Sequence, residues 1–291
     1  MATRQLIGTS TDFEAVANWS GAAAPVTGDN VYISEGSQTF ANNMSQGDQD
    51  FATLRFGPYW QGKILTTNPL ITGTNTSMYV DCPSCTELAI QQNDGDTTTN
   101  TYIYNTGPGL NGLYLNAGAA QTGTYTNVYI VRGNVHIGPK ATITNLYIYR
   151  PASVTIDSGA AITTVNMFGG DVNNEAAITT INLWGGTWKH IGDTTVNITT
   201  LNVHADGAVF YLESYGATIG VIHAYGGLVD GTTVGHANTV NSASAGTIQR
   251  GARVHLNQQT TVTNAFNDFS GGDGYRGPDS STTIIVPEVP L

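Results

Sequence analysis

Charge is scarce in this sequence. Only 11% of its 291 residues are Asp, Glu, Lys or Arg, against roughly a quarter in an average soluble domain, and the lysines are just Lys63, Lys140 and Lys189. The formal net charge is −11. Binding along a phosphate backbone needs clustered cations to displace condensed counterions, so nucleic acid is excluded as a partner. Long apolar runs are missing as well. None reaches the length of a membrane span, and Met1-Ala2-Thr3-Arg4-Gln5 lacks the apolar core of a signal peptide. These absences point to no membrane and to a chain made and folded in a cytoplasm.

Cysteine is nearly absent: Cys82 and Cys85 form one Cys-x-x-Cys in Asp81-Cys82-Pro83-Ser84-Cys85. Zinc needs four ligands, and a thioredoxin-like site needs a helix after a βαβ strand. With neither a second pair nor a nearby histidine, the pair reads as two loop thiols or a local disulfide. The six histidines (His136, His190, His204, His223, His236 and His255) are scattered rather than clustered. Asn93-Asp94-Gly95-Asp96 lacks the spaced acids and terminal Glu of a calcium loop and reads as an exposed turn. No nucleophile elbow, phosphate loop or dinucleotide motif is present. The expectation is a chain with no cofactor and no metal.

What the sequence has is a repeat. Ile162-Thr163-Thr164-Val165-Asn166-Met167-Phe168-Gly169-Gly170 is matched by Ile178-Thr179-Thr180-Ile181-Asn182-Leu183-Trp184-Gly185-Gly186, and the phrase recurs at Ile198-Thr199-Thr200-Leu201-Asn202-Val203 and Ile219-Gly220-Val221-Ile222. Following the small residue of each copy through Gly133, Ala152, Gly170, Gly186, Gly207, Gly227 and Gly246 gives a mean interval of 18.8 residues. A fixed period marks a solenoid or array. Each unit is two or three β-branched runs separated by Gly, Asn or Asp, with no apolar 3.6-residue pattern long enough for a helix. The fold class is therefore all-β, a parallel β-solenoid (β-helix) with coils of about 19 residues.

Stacked coils place equivalent residues above one another at about 4.8 Å. Asn166, Asn182 and Asn202 then form a column whose amides can bond from coil to coil. Ile162, Ile178 and Ile198 form an interior aliphatic ladder, each side chain contributing roughly 1.5–3 kcal/mol on burial. Residues 1–30 read as an N-terminal cap, 31–118 as irregular coils with insertions, 119–265 as the regular solenoid, and 266–291 as a hinge and C-terminal arm. Thr11 and Glu14 are spaced as a capping box, predicting one or two helical turns inside the cap. The arm, Thr283-Ile284-Ile285-Val286-Pro287 onward, reads as a far cap or as a strand added to a neighbour's sheet edge.

Chemistry is hard to find on this frame. Polysaccharide-cleaving solenoids pair carboxylates about 5–5.5 or 6.5–9.5 Å apart. The solenoid acids (Asp157, Asp171, Glu175, Asp193, Asp206, Glu213 and Asp230) have no second acid in their columns, so no catalytic residue is assigned. Phe168, Trp184 and Tyr225 share one repeat position, interrupted by Ala205. That column is core or subunit interface if buried, and a sugar-stacking platform if exposed.

The segment Asn18-Trp19-Ser20-Gly21-Ala22-Ala23-Ala24-Pro25-Val26-Thr27-Gly28-Asp29-Asn30-Val31-Tyr32-Ile33 resembles the opening motif of β-solenoid proteins of tailed bacteriophages and some bacterial surface proteins. It lacks the usual second Gly after Gly21. In the motif Trp19 plugs the end of the core, while Pro25, Gly28 and Asp29 turn the chain into the first strand. Phage solenoids of this kind are capsid decoration (cement) proteins or receptor-binding tailspikes and fibres. A short chain with neither an attachment domain nor an acidic groove is expected to be the former. The resemblance implies a non-enzymatic structural virion protein on the capsid exterior, assembled in the host cytoplasm. It would be a homotrimer bridging major capsid protein subunits. The alternative is a tail protein recognising host polysaccharide.

Overall fold

The computed structural model describes the chain except at residues 1, 38, 41, 43, 47–48, 67–68, 84–86, 93–95, 107–112, 117–121, 194–195, 234, 241–245, 265, 271–273 and 279–291. Cys85, the Asn93-Asp94-Gly95 turn, the boundary near residue 118 and the arm beyond residue 278 lie outside the described residues. Parallel strands stack coil on coil into a β-solenoid of about 21 residues per turn. Among the described residues no helix is long and apolar enough to cross a membrane. The chain divides into two compact units, Met1–Ala161 and Ile162–Leu291.

In the first unit, one sheet stacks Thr3–Gln5, Asn30–Gly36, Thr53–Trp60, Asn75–Cys82, Thr97–Thr106, Gly123–Ile130 and Ala141–Ile148 in that order. A second stacks Ser45–Gln46, Leu70–Thr72, Ala89–Gln92, Leu113–Leu115, Gly133–Ile137 and Ala152–Ile156. Alternation along each strand decides what is inside. Ile33, Phe56, Val80, Ile103, Ile130 and Ile148 follow one another in register and are all fully buried.

The second unit repeats the plan. Ile178–Leu183, Ile198–Val203 and Thr218–Ala224 follow Ala161–Met167 in one sheet, and Gly186–His190, Ala208–Leu212, Leu228–Gly231 and Arg253–Leu256 follow Asp171–Asn174 in the other. Ile162, Ile178, Ile198 and Ile219 stack in register inside the core, advancing by 16, 20 and 21 residues per coil. Opposite them, Val172, Trp188, Phe210, Val229 and Val254 form the facing column.

Four sequence expectations need correction. The residue in register with Gly186 is Ala208, not Gly207. Leu228 pairs with Arg253, which puts Ala252 rather than Gly246 level with Gly227; Gly246 leads instead into Thr247–Ile248 of the other sheet. The coil averages about 21 residues over the whole chain because the early coils are longer, Val31, Leu54, Met78, Thr101 and Val128 advancing by 23, 24, 23 and 27 residues in register. The capping box does not form either. The only helical element among the described residues is a 3-10 turn, Val16–Asn18, whose N-cap Ala15 has no side chain to bond. Asp12 organises this loop, its Oδ1 accepting from the Glu14 N–H at 2.9 Å.

The corner glycine at Gly186 has φ +85°, and a Cβ there would run into the Gly170 carbonyl of the coil beneath. Left-handed backbone costs an L-residue about 1–2 kcal/mol, and the collision adds to it. Gly186→Ala is therefore expected to lower unfolding stability by about 2 kcal/mol or more, read as a lower urea midpoint at unchanged m.

His190 is fully buried. Its Nδ1 accepts from the Asn174 amide nitrogen at 2.9 Å, and its Nε2–H donates to the Val196 carbonyl at 3.1 Å. Burial pushes its pKa down to about 4, although the Val196 carbonyl works the other way. Between the ordinary value of about 6.5 and about 4, the unfolded chain takes up a proton that the native chain refuses. Stability should fall as pH drops through that window, by about 3 kcal/mol in total. Urea titrations at a series of pH values check this, and His190→Gln should flatten the slope in that window.

Candidate functional site

Residues of the opening motif close the first coil. Trp19 is fully buried, donates Nε1–H to the Phe13 carbonyl at 2.7 Å, and packs edge-on against Phe13, which meets Phe40 in the same way. Asn18 binds the loop below it, its amide nitrogen donating to the Ser10 and Asp12 carbonyls at 3.1 and 2.6 Å. Pro25 is buried, and Gly28 takes φ +85° so that its N–H reaches the Asp50 carbonyl at 2.7 Å. Asp29 gathers three partners: the Ala2 N–H at 2.8 Å, the Val26 N–H at 3.3 Å and the Arg4 guanidinium at 3.1 Å. Burial alone would raise its pKa. The hydrogen bonds from Ala2, Arg4 and Val26 and the charge of Arg4 outweigh that, leaving the carboxyl below its usual range.

On the outside of the second unit, two columns run side by side. Asn182 donates its amide nitrogen to Asn166 Oδ1 at 3.0 Å, and Asn202 donates to Asn182 Oδ1 at 2.9 Å. Two residues further along each strand stands an aromatic column. Phe168 stacks on Trp184 (centroids 5.0 Å, planes 15° apart), Trp184 on His204 (4.5 Å, 9°), and His204 on Tyr225 (5.4 Å, 12°). The column faces outward, with Phe168 44%, Trp184 39% and Tyr225 38% exposed. It is not interrupted. Leu183 pairs with Val203 and Val203 with Ala224, so the next residue in line is His204 and not Ala205. The Ala205-Asp206-Gly207 corner hid this member, which anchoring the alignment on Asn202 and Val203 would have found. Burial lowers the pKa of His204 and of the neighbouring His223.

This geometry bears on what the column can bind. Stacked rings spend their faces on each other, so Trp184 and His204 each carry a ring on both sides. Solvent sees a ridge of ring edges. Sugar C–H groups pack against the electron-rich face of a ring, and these inner faces are taken.

A second aromatic column went unnoticed in the sequence. In the first unit Tyr79, Tyr102, Tyr129 and Tyr147 stack at 5.1, 5.0 and 4.7 Å, within 14° of parallel. Asn100, Asn127 and Asn145 form an amide ladder beside them, bonded at 3.2 and 3.0 Å. The signal was a Tyr followed by an aliphatic in each strand, as in Val128-Tyr129-Ile130 and Leu146-Tyr147-Ile148. Burial raises the Tyr129 pKa, with the neighbouring phenols Tyr147, Tyr102 and Tyr149 adding to it.

Among the described residues, an acid and a base also meet in one further place. His136 Nε2 lies 2.6 Å from Asp157 Oδ1, and the His136 ring stacks on Tyr114 at 4.4 Å. Asp171 is in register with Thr187, which offers no second acid. Among the described residues no cluster of three or more His, Cys, Asp or Glu is placed to hold a metal ion.

Asp29 supplies a test of the coil closure. Asp29→Asn removes the charge that holds Arg4 and the chain start, and is expected to cost about 2 kcal/mol, with proteolysis within residues 2–6 as an early sign. The wild-type contribution should be present above the ordinary carboxylate pKa and be lost as pH falls below it; equal acid sensitivity of both proteins would contradict this. Comparison with protein-family models, with curated proteins and with solved structures found no match to the chain.

Proposed function

We propose that the chain is a non-enzymatic structural virion protein, a capsid decoration or cement protein. It bridges neighbouring major capsid subunits on the head exterior and acts as a homotrimer. The virion setting rests on the resemblance carried by Asn18 to Ile33. The manner of attachment rests on one observation, the outward ridge of Phe168, Trp184, His204 and Tyr225 with its inner ring faces already occupied. A rigid ridge of ring edges on a charge-poor surface suits an apolar groove of another protein. Little side-chain entropy is lost on docking, because the stack already holds the rings. Several such contacts on a lattice add through effective concentration, and a ligand that binds only the assembled shell stabilises it by mass action.

A tail protein that recognises host polysaccharide is the second reading. Trp184 and His204 keep exposed edges two residues along from the side-chain amides of Asn182 and Asn202, and sugar hydroxyls need such polar neighbours.

Trp184→Ala separates folding from docking, since the ring lies outside the core. Its thermal unfolding should match the parent chain within a few degrees. Its affinity for shells assembled from the virus's own major capsid protein should drop about 30-fold, the loss typical of a buried Trp anchor. Virions carrying the variant should release DNA on heating sooner than the parent. Unchanged shell binding, with binding to purified host polysaccharide lost instead, would replace the cement reading with the receptor reading.

A further inference from the structure

At the first coil two strands that begin as partners separate. Thr3–Gln5 lies on Asn30–Gly36 in the register Thr3↔Asn30, Arg4↔Val31 and Gln5↔Tyr32, and the last rung is the Leu6 N–H donating to the Tyr32 carbonyl at 2.9 Å. The upper chain then leaves. The N–H groups of Ile7 and Gly8 both turn to the Asn18 carbonyl, at 2.7 and 3.2 Å, and Leu6 bridges antiparallel to Trp19. The departure is built in, because a Cβ on Gly8 would fall 2.7 Å from the Ala17 carbonyl oxygen. The lower strand runs on to Gly36, held from beneath by Glu35↔Tyr59 and Gly36↔Trp60. Among the described residues, Ile33–Gly36 therefore has a partner strand on one edge only.

The space that a continuing strand would occupy is a hollow of about 480 Å³ opening to solvent, lined in part by Leu6, Ile7, Thr9, Glu35, Gly36 and Ser37. Ile7 is 64% exposed. An open strand edge beside a partly apolar hollow is the geometry of strand addition, in which main-chain bonds supply affinity and a pocket selects the side chain. Left unfilled, such an edge invites uncontrolled pairing.

The sequence holds a segment suited to it. Thr282-Thr283-Ile284-Ile285-Val286 is an unbroken β-branched run, stopped by Pro287. β-Branched residues favour strands, and a proline, lacking an N–H, ends the run. Its length fits the open stretch Ile33–Gly36, and it brings no acid to lie beside Glu35. We propose that this edge is a docking site for Thr282–Val286 of a second copy of the chain. The segment adds as a strand above Ile33–Gly36 and sets Ile284 or Ile285 in the hollow. Each copy carries one edge and one segment, so the contact is heterologous and closes into a ring when the rotation permits. This assignment is independent of the capsid reading.

The test uses the full chain with p-benzoylphenylalanine in place of Ile7, mixed with an isotope-labelled copy lacking it, irradiated and mapped by mass spectrometry. The expected product joins position 7 of the light chain to the labelled peptide containing residues 282–286. Ile285→Pro in the labelled copy should reduce that product at least tenfold. A chain with Ile285→Pro throughout should sediment as a monomer while keeping the parent's thermal unfolding. Crosslinks confined to the light chain's own segment, crosslinks to other peptides only, or an oligomer untouched by Ile285→Pro would each overturn the assignment.

Discussion

Parallel, in-register stacking at one strand spacing governs this molecule. Each coil must present to the next the same residue type at the same height, because a shift of one residue would turn every interior side chain outward. The Ile162, Ile178, Ile198 and Ile219 column shows how strictly that is kept, with every member buried although the coils differ in length. Variation is absorbed at the corners. There Gly170, Gly186 and Gly227 take positive φ, and Gly186 and Gly227 let adjacent turns approach more closely than a Cβ would allow.

The same register builds the exterior. A residue type repeated every coil becomes a continuous line of amides, as with Asn166, Asn182 and Asn202, or of rings, as with Tyr79, Tyr102, Tyr129 and Tyr147. Such lines are half inside the structure energetically. Their members satisfy one another along the stack, so they stiffen the face and show solvent only their edges. This is why a column that a sequence alignment could assign to core, interface or sugar platform becomes, once its rings are stacked, a ridge whose inner faces are unavailable.

A solenoid's weak points are its ends, where stacking stops and strand edges open. At its first coil this chain spends its few charges well, tying Arg4, Asp29 and the chain start together while Trp19 and Phe13 fill the core. The pairing with Thr3–Gln5 stops at Tyr32, however, and among the described residues the last stretch of that strand has a partner on one edge only. An acidic chain with so little surface charge has few means of guarding an edge by repulsion, which gives a specific occupant a structural purpose.

The repeat, the β-branched runs and the paired glycines made the all-β parallel solenoid legible from sequence, because periodic interior residues carry the fold directly. The Ile and Asn columns were legible for the same reason, as identical residues at matching positions. Thr11 and Glu14 misled because a capping-box spacing needs a following helix, and the tight loop around Asp12 and Asn18 leaves room only for the 3-10 turn. His204 was lost because corner insertions shift sequence spacing without shifting register. Which face the aromatic column took, that His136 would meet Asp157, and where the first strand would lose its partner were decided only by tertiary structure. These depend on corner geometry and on contacts between coils distant in sequence, and a linear pattern of residue types does not encode either.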